Sequence, residues 1–517
     1  MSDITYIGIT NFRNEYQRFG IKTDDRRRHM YIIGKAGVGK TTMLENMIIQ
    51  DIISGNGVGV IDPHGELIEK IIHFVPKERV KDVVYFNPSD LDWPIAFNVI
   101  EEVPVELRHL VVAGLMAVFK KIWPDVWSAR MEYILNNTLL ALLEYPGSTL
   151  VGVNRMLADD EFRKAVVNRV TDPVVKNFWE KEFSRYHDRF ATEAIAPIQN
   201  KVGQFISNPL IRNIIGQKES KIDLRDIMDN KKILLVNVSK GLIGESNSAL
   251  LGALLITKLQ LAAMSRIDTP EKDRTDFYLY IDEFQNFSTE SFANIFAEAR
   301  KYRLDLILAH QYIAQLNQTV KDAIFGNIGT LVTFRVGPED AELLEKYFYP
   351  DFNKEDIINL PNYHFYIKLM IDGYLSKGFS GINIPPQNVP ETSYVQEIIQ
   401  NSRENYGTPK SEVEDQLKRW EMLDFSQEEE KEKIIRKPQV GVQEGWRTFC
   451  SNCGKPIIVP FRPDPNRPVY CEDCLKEMQR VKKQLPDYSQ KDSQYRKPKP
   501  PPQAEEIKNL LKDINQE

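Results

Sequence analysis

Residues 30–42, Met30-Tyr31-Ile32-Ile33-Gly34-Lys35-Ala36-Gly37-Val38-Gly39-Lys40-Thr41-Thr42, read as a short apolar strand, a glycine-rich turn and the start of a helix that continues from Met43 to Ile53. The turn fits G-x-x-x-x-G-K-[ST], the phosphate-binding loop. Its chemistry dictates these residue types. Glycines let the backbone curl so that successive N–H groups from Gly34 to Thr42 converge on phosphate oxygens. The helix N-terminus adds its partial positive charge. Lys40 is placed to reach the β- and γ-phosphates of ATP, and Thr41 to hold Mg2+ through its hydroxyl.

A second apolar run, Asp276 to Ile281, ends in Asp282-Glu283. Downstream of a phosphate loop, such a strand supplies the other half of an ATP site. Asp282 would anchor the Mg2+ hydration shell, and Glu283 would be the general base for the attacking water. The strand Leu304 to Leu308 leads into Ala309-His310-Gln311, where Gln311 is placed to sense the γ-phosphate. Arg300 ends the helix Ser288 to Tyr302. It is either a cation resting against the helix dipole or an arginine finger for the adjacent subunit. Gly57 to Val60 runs into Ile61-Asp62-Pro63-His64-Gly65-Glu66, a strand ending in an acid and a turn. Asp62 is thus a candidate acid near the metal or the water, and His64 reads as a turn residue. Further strands are expected at Asp82–Phe86, Lys232–Val238 and Leu331–Gly337. In the last, Arg335 is divided between nucleotide and a structural salt bridge. Phe365 to Phe379 reads as a hairpin around Asp372-Gly373.

Lysines and arginines number 67 against 73 aspartates and glutamates, a formal charge of −6. A nucleic-acid surface must therefore be a local patch or a pore lining. The cluster Asp24-Asp25-Arg26-Arg27-Arg28-His29 reads as a solvated edge, or else places an arginine near nucleotide. The N-terminus lacks a signal-peptide pattern. The most apolar helix, Leu250 to Met264, is cut by Lys258 and Gln260 and is shorter than the roughly 18 residues a span requires. A cytoplasmic protein is expected.

From about 100 to 225 the apolar residues recur at helical spacing. Trp123, Trp127, Trp179 and Phe183 read as core. Asn200-Lys201-Val202-Gly203-Gln204-Phe205 is a packed helix or a face toward a neighbour or a polymer. The expected organisation is an α/β fold with an N-terminal segment (1–29), a first part of the ATPase core (30–100), an all-α insertion (101–225), a second part of the core (226–385), a charged linker (386–445), a zinc ribbon (446–480) and a basic, Pro-rich tail with a short helix (481–517). The ribbon rests on the four cysteines of the chain, Cys450, Cys453, Cys471 and Cys474. Two C-x-x-C pairs aim four thiolates at one Zn2+, which folds a segment too small to fold alone.

These motifs, in this order, resemble the HerA/FtsK superfamily of ring-forming translocases, and within it the TraD/TraG-like coupling proteins of type IV secretion. The resemblance rests on Gly34–Thr42, Ile61–Glu66, Asn200–Phe205, Tyr280–Phe287, Glu298–Tyr302, His310-Gln311 and Thr333–Gly337. It implies a RecA-like P-loop ATPase core with an all-α domain, a hexamer and DNA threaded through its pore. It also implies that Lys40, Thr41, Asp282, Glu283 and Gln311 act in cis and Arg300 in trans. Many coupling proteins begin with transmembrane helices, which are not expected here. That favours a soluble variant, or one recruited to the inner face of the membrane by a separate membrane-anchored subunit. A secretion motor for protein substrates and a nucleotide-gated, non-hydrolysing scaffold are the alternatives.

Overall fold

The computed structural model describes residues 4–422, apart from 12, 14, 102 and 187, and residues 446–477, apart from 460–462, 465 and 466. The chain divides into two compact units, Met1–Glu429 and Glu430–Glu517. The strands of the first unit are β1 (Ile4–Thr10), β2 (Arg18–Lys22), β3 (Met30–Ile33), β4 (Gly57–Asp62), β5 (Val83–Phe86), β6 (Ile233–Asn237), β7 (Phe277–Ile281), β8 (Leu304–His310), β9 (Thr330–Thr333), β10 (His364–Lys368), β11 (Met370–Ile371), β12 (Tyr374–Leu375) and β13 (Phe379–Asn383). Eleven of them form one sheet in the order β2-β1-β13-β10-β9-β3-β8-β7-β4-β6-β5, and β11 pairs with β12.

From β9 to β5 the pairing is parallel. The strands there are apolar almost throughout because both faces are covered. Alternate residues serve different cores. Ile32, Val58, Val60 and Leu235 pack with the helices Lys40–Ile53 and Glu66–Ile71. Tyr31, Ile61, Leu234 and Leu279 pack with the helices Val105–Ile122 and Glu245–Ser265. Between β5 and β6 the described residues form helices joined by turns and loops, with no strand and one isolated bridge, Ile95 to Gly407. Their apolar stripe joins this second core, with Trp123, Trp179 and Phe183 buried in it and Trp127 packed at its border. The helix Glu245–Ser265 exceeds the length read from the sequence, and by length and composition it could cross a bilayer. It is instead a core helix, buried from Leu250 to Thr257.

Two regions differ from the sequence reading. The N-terminal segment contributes β1 and β2, which extend the sheet antiparallel through β13. Its charge cluster is neither a solvated edge nor near the phosphate loop. It precedes β3, at the other end of the strands from that loop. Arg26 donates to both carboxylate oxygens of Asp51 at 2.8 Å, to Thr5 and to the Tyr280 hydroxyl, and it lies 3.5 Å from the Tyr278 ring centroid. Arg27 pairs with Asp276. The second region is the stretch 386–445, expected as a charged linker. It contains two helices, Val395–Tyr406 and Lys410–Glu421. Their charge-rich composition hides a sparse apolar stripe, Ile398, Val413 and Leu417, which is buried. Ser402 accepts the N–H of Tyr85 and donates to the carbonyl of Val83, closing polar groups that the border strand β5 would leave exposed. The charge run Ser426 to Lys433 lies outside the described residues, as does the whole stretch 481–517.

Asp305 on β8 is fully buried beside this arginine cluster, and neither of its carboxylate oxygens has a hydrogen-bond partner. Burial, reinforced by Asp276 and opposed by Arg26, Arg27 and Arg303, pushes its carboxyl up to about 8. An unfolded aspartate titrates near about 4. Between those limits the folded chain holds a proton the unfolded chain has lost, so this group makes stability fall as pH rises. Asp305→Asn should therefore be more stable than the parent at pH 8, with the difference shrinking toward pH 5. Denaturant titration at the two pH values measures this. An equal difference at both would remove Asp305 as the cause.

Candidate active site and metal centre

The phosphate loop is braced on every side by backbone. Gly34 N–H donates to the carbonyl of His310, Lys35 N–H to Arg335 and Tyr363 N–H to Val38. Asn383 Nδ2 donates to the carbonyl of Gly39 at 2.7 Å. Gly39 sits at φ 114°, and a Cβ there would lie 2.6 Å from Asn383 Nδ2. Only glycine fits. Ala36 and Gly37 are exposed at the mouth of the loop. Lys40 is buried, and its ammonium donates to the carbonyls of Gly34 at 2.7 Å and Lys35 at 3.1 Å. Burial lowers its proton affinity, and the carboxylates of Glu283 and Asp282 partly restore it.

The order β3-β8-β7 places the tips of the three strands side by side. Thr41 Oγ1 donates to Asp282 Oδ2 at 3.1 Å. Burial pushes the Asp282 carboxyl up to about 6, with Glu283 and Asp62 adding to the effect and Lys40 opposing it. A hydroxyl and a carboxylate converging beside an ammonium are a hard oxygen donor set that fits Mg2+. Glu283 is buried and adopts φ 47°, ψ 50°, a left-handed conformation that disfavours a residue with a Cβ by roughly 1–2 kcal/mol. Its carboxylate accepts from Gln311 Nε2 on one oxygen and from Gln285 Nε2 at 2.6 Å on the other. Gln311, the residue directly after β8, therefore touches the carboxylate that follows the neighbouring strand β7. His310 beside it accepts from or donates to the Tyr31 hydroxyl at 2.7 Å. Burial, with Lys40 and Lys121 adding, holds its imidazole down to about 3, so it is neutral.

Other residues singled out in the sequence have different partners. Asp62 spends both oxygens on backbone N–H groups of His64, Leu67 and Ile68. It shapes the turn while still acting on Asp282 through charge. His64 is exposed in that turn. Arg335 lies against the phosphate loop through its carbonyl, which accepts the Lys35 N–H; its guanidinium donates to Asn362 at 2.7 Å and to the carbonyl of Leu360, and among the described residues it forms no salt bridge. Arg300 is exposed on a 3-10 turn, Ala299–Tyr302. Val202 and Phe205 are buried, whereas Asn200 and Gln204 are exposed on the same helix. Tyr363, Asn383 and Gln285 were not legible as site residues. Asn383 and Tyr363 sit more than 300 positions from the loop they brace, and no local pattern marks them.

In the second unit, β14 (Trp446–Phe449) and β15 (Pro456–Val459) form a hairpin. Cys450 and Cys453 occupy its turn, where Gly454, at φ 71°, donates to the carbonyl of Cys450. Cys471 and Cys474 begin a helical stretch over 472–477. All four Sγ atoms lie within 4.8 Å of one another, and Cys453 and Cys471 are 3.6 Å apart. Tetrahedral Zn2+ at about 2.3 Å from each sulfur requires separations of about 3.8 Å. Backbone N–H groups of Cys453 and Cys471 hold the Cys450 thiol down to about 6. The donor set fits Zn2+.

A family profile described as the type IV secretion-system coupling protein DNA-binding domain matches residues 17–348, well over half of the chain. The chain belongs to that family. A second profile, described as a probable treble clef zinc finger, matches residues 443–479. The expected four-cysteine zinc module is borne out, with a treble-clef arrangement in which the second cysteine pair comes from a helix start and not from a second knuckle. The coupling-protein relative DotL of Legionella pneumophila, a type 4 coupling protein, is 21% identical over 379 residues, covering 61% of this chain and 48% of its own. The chain thus spans about half the length of that relative. Among solved structures, the plasmid coupling protein TrwB in complex with ADP and Mg2+ superposes with a TM-score of 0.53 at 14% identity, covering 73% of this chain and 90% of that one. Unbound TrwBdeltaN70, a bacterial conjugative coupling protein, gives 0.52 at 14% identity, with 73% and 89% covered. These likenesses show that the chain shares the fold of the TrwB coupling protein.

The purified chain should carry one zinc per polypeptide by elemental analysis. A strong chelator should unfold 446–477, seen as loss of amide protection there. Cys450→Ser should abolish zinc binding. Retention of protection without metal would make the thiols a packing feature only.

Proposed function

We propose that this coupling-protein family member is an ATP-hydrolysing motor that works as a ring, with a hexamer as the working assembly, and translocates DNA. The observation that carries this reading is the Glu283 carboxylate, held between Gln285 and Gln311 beside the Thr41–Asp282 pair. A scaffold that never hydrolyses nucleotide has no use for a carboxylate so gripped.

The loop N–H groups bind the phosphates. Lys40 leaves the carbonyls of Gly34 and Lys35 to meet the β- and γ-oxygens. Thr41 and Asp282 would hold Mg2+, which would neutralise charge on the phosphates. A water oxygen attacks the γ-phosphorus, the bond to the β-bridging oxygen breaks, and ADP takes the electron pair. The proton from the water passes to Glu283, whose position Gln311 maintains. Arg300, exposed on the turn that leads into β8, is proposed to complete the site of the next subunit. DNA as cargo is favoured by the description of the family as a DNA-binding domain. The proposed place of work is the inner face of the membrane, where a membrane-anchored partner would recruit the chain.

ATP hydrolysis should be stimulated by single- or double-stranded DNA, and Glu283→Gln should lower kcat by about 10²- to 10⁴-fold with nucleotide still bound. An unchanged rate in Glu283→Gln rejects the base. Stimulation by a secretion-substrate protein but not by DNA moves the cargo to protein. Arg300→Ala and Lys40→Ala should each be inactive alone, yet regain turnover when mixed, because the intact site of one then meets the intact arginine of the other. A mixture that stays inactive rules out action in trans.

A further inference from the structure

The loop after β7 carries Glu283 and one of its two side-chain partners, Gln285. Phe284 and Phe287 anchor it in the core. Phe287 packs against Gly252, where a Cβ would lie 2.2 Å from its ring. The polar side of the loop is gripped by two lysines. Lys240, just after β6, donates to Asn286 Oδ1 at 2.6 Å, and Asn286 Nδ2 donates to the carbonyl of Glu283 at 2.8 Å. Lys121 comes from the helix Val105–Ile122. Its ammonium donates to the carbonyl of Gln285 at 2.7 Å, the carbonyl of Ser288 at 2.6 Å and the Ser288 hydroxyl at 3.3 Å. The amide of the same Gln285 holds one oxygen of the Glu283 carboxylate.

We propose that Lys121 is a positioning residue for hydrolysis, through which the helical region between β5 and β6 sets the orientation of Glu283. The inference rests on the reading of Glu283 as the base.

The chain of contacts is short and stiff. The helix bearing Lys121 lies against the core helix Glu245–Ser265 at Gly114, where a Cβ would lie 2.4 Å from Thr257. Two residues beyond Lys121, Trp123 stacks on Phe119 at 4.8 Å and packs on Phe205, 5.6 Å away on the helix Asp188–Ile206. The end of the Lys121 helix is thus fixed from both the sheet and the helical region. Three oxygens saturate the three N–H donors of the ammonium. The other titratable groups near it are Lys240, His310, which is neutral, and Lys120, which pairs outward with Glu290. Burial and Lys240 push Lys121 down to about 8, and among the described residues its ammonium donates to the loop oxygens of Gln285 and Ser288 and is in no ion pair with a carboxylate. A lysine in an unfavourable electrostatic setting, committed to two loop carbonyls, does more than cover a surface.

Steady-state ATPase kinetics of the full chain test this with Lys121→Met, Lys121→Arg, Gln285→Ala and the Met/Ala double variant, with Glu283→Gln alongside. In Lys121→Met, kcat should fall about ten- to a hundred-fold, the loss expected of a slightly misplaced reacting group. KM for ATP should stay within about two-fold and the Tm should be unchanged. Lys121→Arg, which keeps charge and donors, should recover most of the rate. The double variant should be no slower than the slower single, because both act on one carboxylate. A wild-type kcat in Lys121→Met, with Glu283→Gln inactive, overturns the inference and leaves the base standing. So does a joint fall of kcat, KM and Tm that arginine does not recover. If Glu283→Gln itself turns over normally, the base assignment fails and the inference fails with it.

Discussion

The parallel pairing of β3, β8 and β7 is the constraint on which the site depends. Ile33 lies opposite His310, and Ile307 opposite Tyr280, so the phosphate loop, Gln311 and Asp282-Glu283 all leave the sheet at one height. A slip of one residue in any of the three would turn the side chains of that strand to the other face and separate Gln311 from Glu283. Register here is fixed by two apolar cores that interdigitate through alternate residues, which is the strongest specification a sheet can have.

The same strands are put to a different use at their other end. Tyr278 and Tyr280 belong to the strand that ends in Asp282, yet their rings and hydroxyls serve Arg26 and Asp51. This buried ion pair is compensated by further hydrogen bonds, the condition under which a desolvated pair is tolerated. It ties the N-terminal segment to the back of the sheet, and β1 and β2 then bring β13 into register. Polar chemistry is thus confined to the two ends of the central strands, with hydrocarbon between them.

What was legible in the sequence was what local pattern can carry. The glycines, Lys40 and Thr41 follow one strand, and Asp282-Glu283 ends another. Each is a short run whose residue types have one chemical use. Gln311 could be read because it follows directly on an apolar strand. The four cysteines were equally plain, although their spacing did not distinguish two knuckles from a knuckle and a helix. What escaped was non-local or sparse. Arg26 looks like any surface arginine until Asp51 and Tyr280 surround it. Ile398, Val413 and Leu417 are too thinly spread among charges to signal burial. Lys121 gains its meaning only from carbonyls more than 160 residues away.

The hydrogen bond from Asn383 to Gly39 has a consequence for where a working unit can end. The stretch shared with the family stops at residue 348, yet two of the struts that hold the phosphate loop open, Tyr363 and Asn383, come later, on and beside the antiparallel border of the sheet. A fragment cut at the end of the shared stretch would keep every residue that chemistry demands and lose the frame that shapes them. In this chain the end of the matched family domain and the end of the frame that keeps its loop in shape are different places.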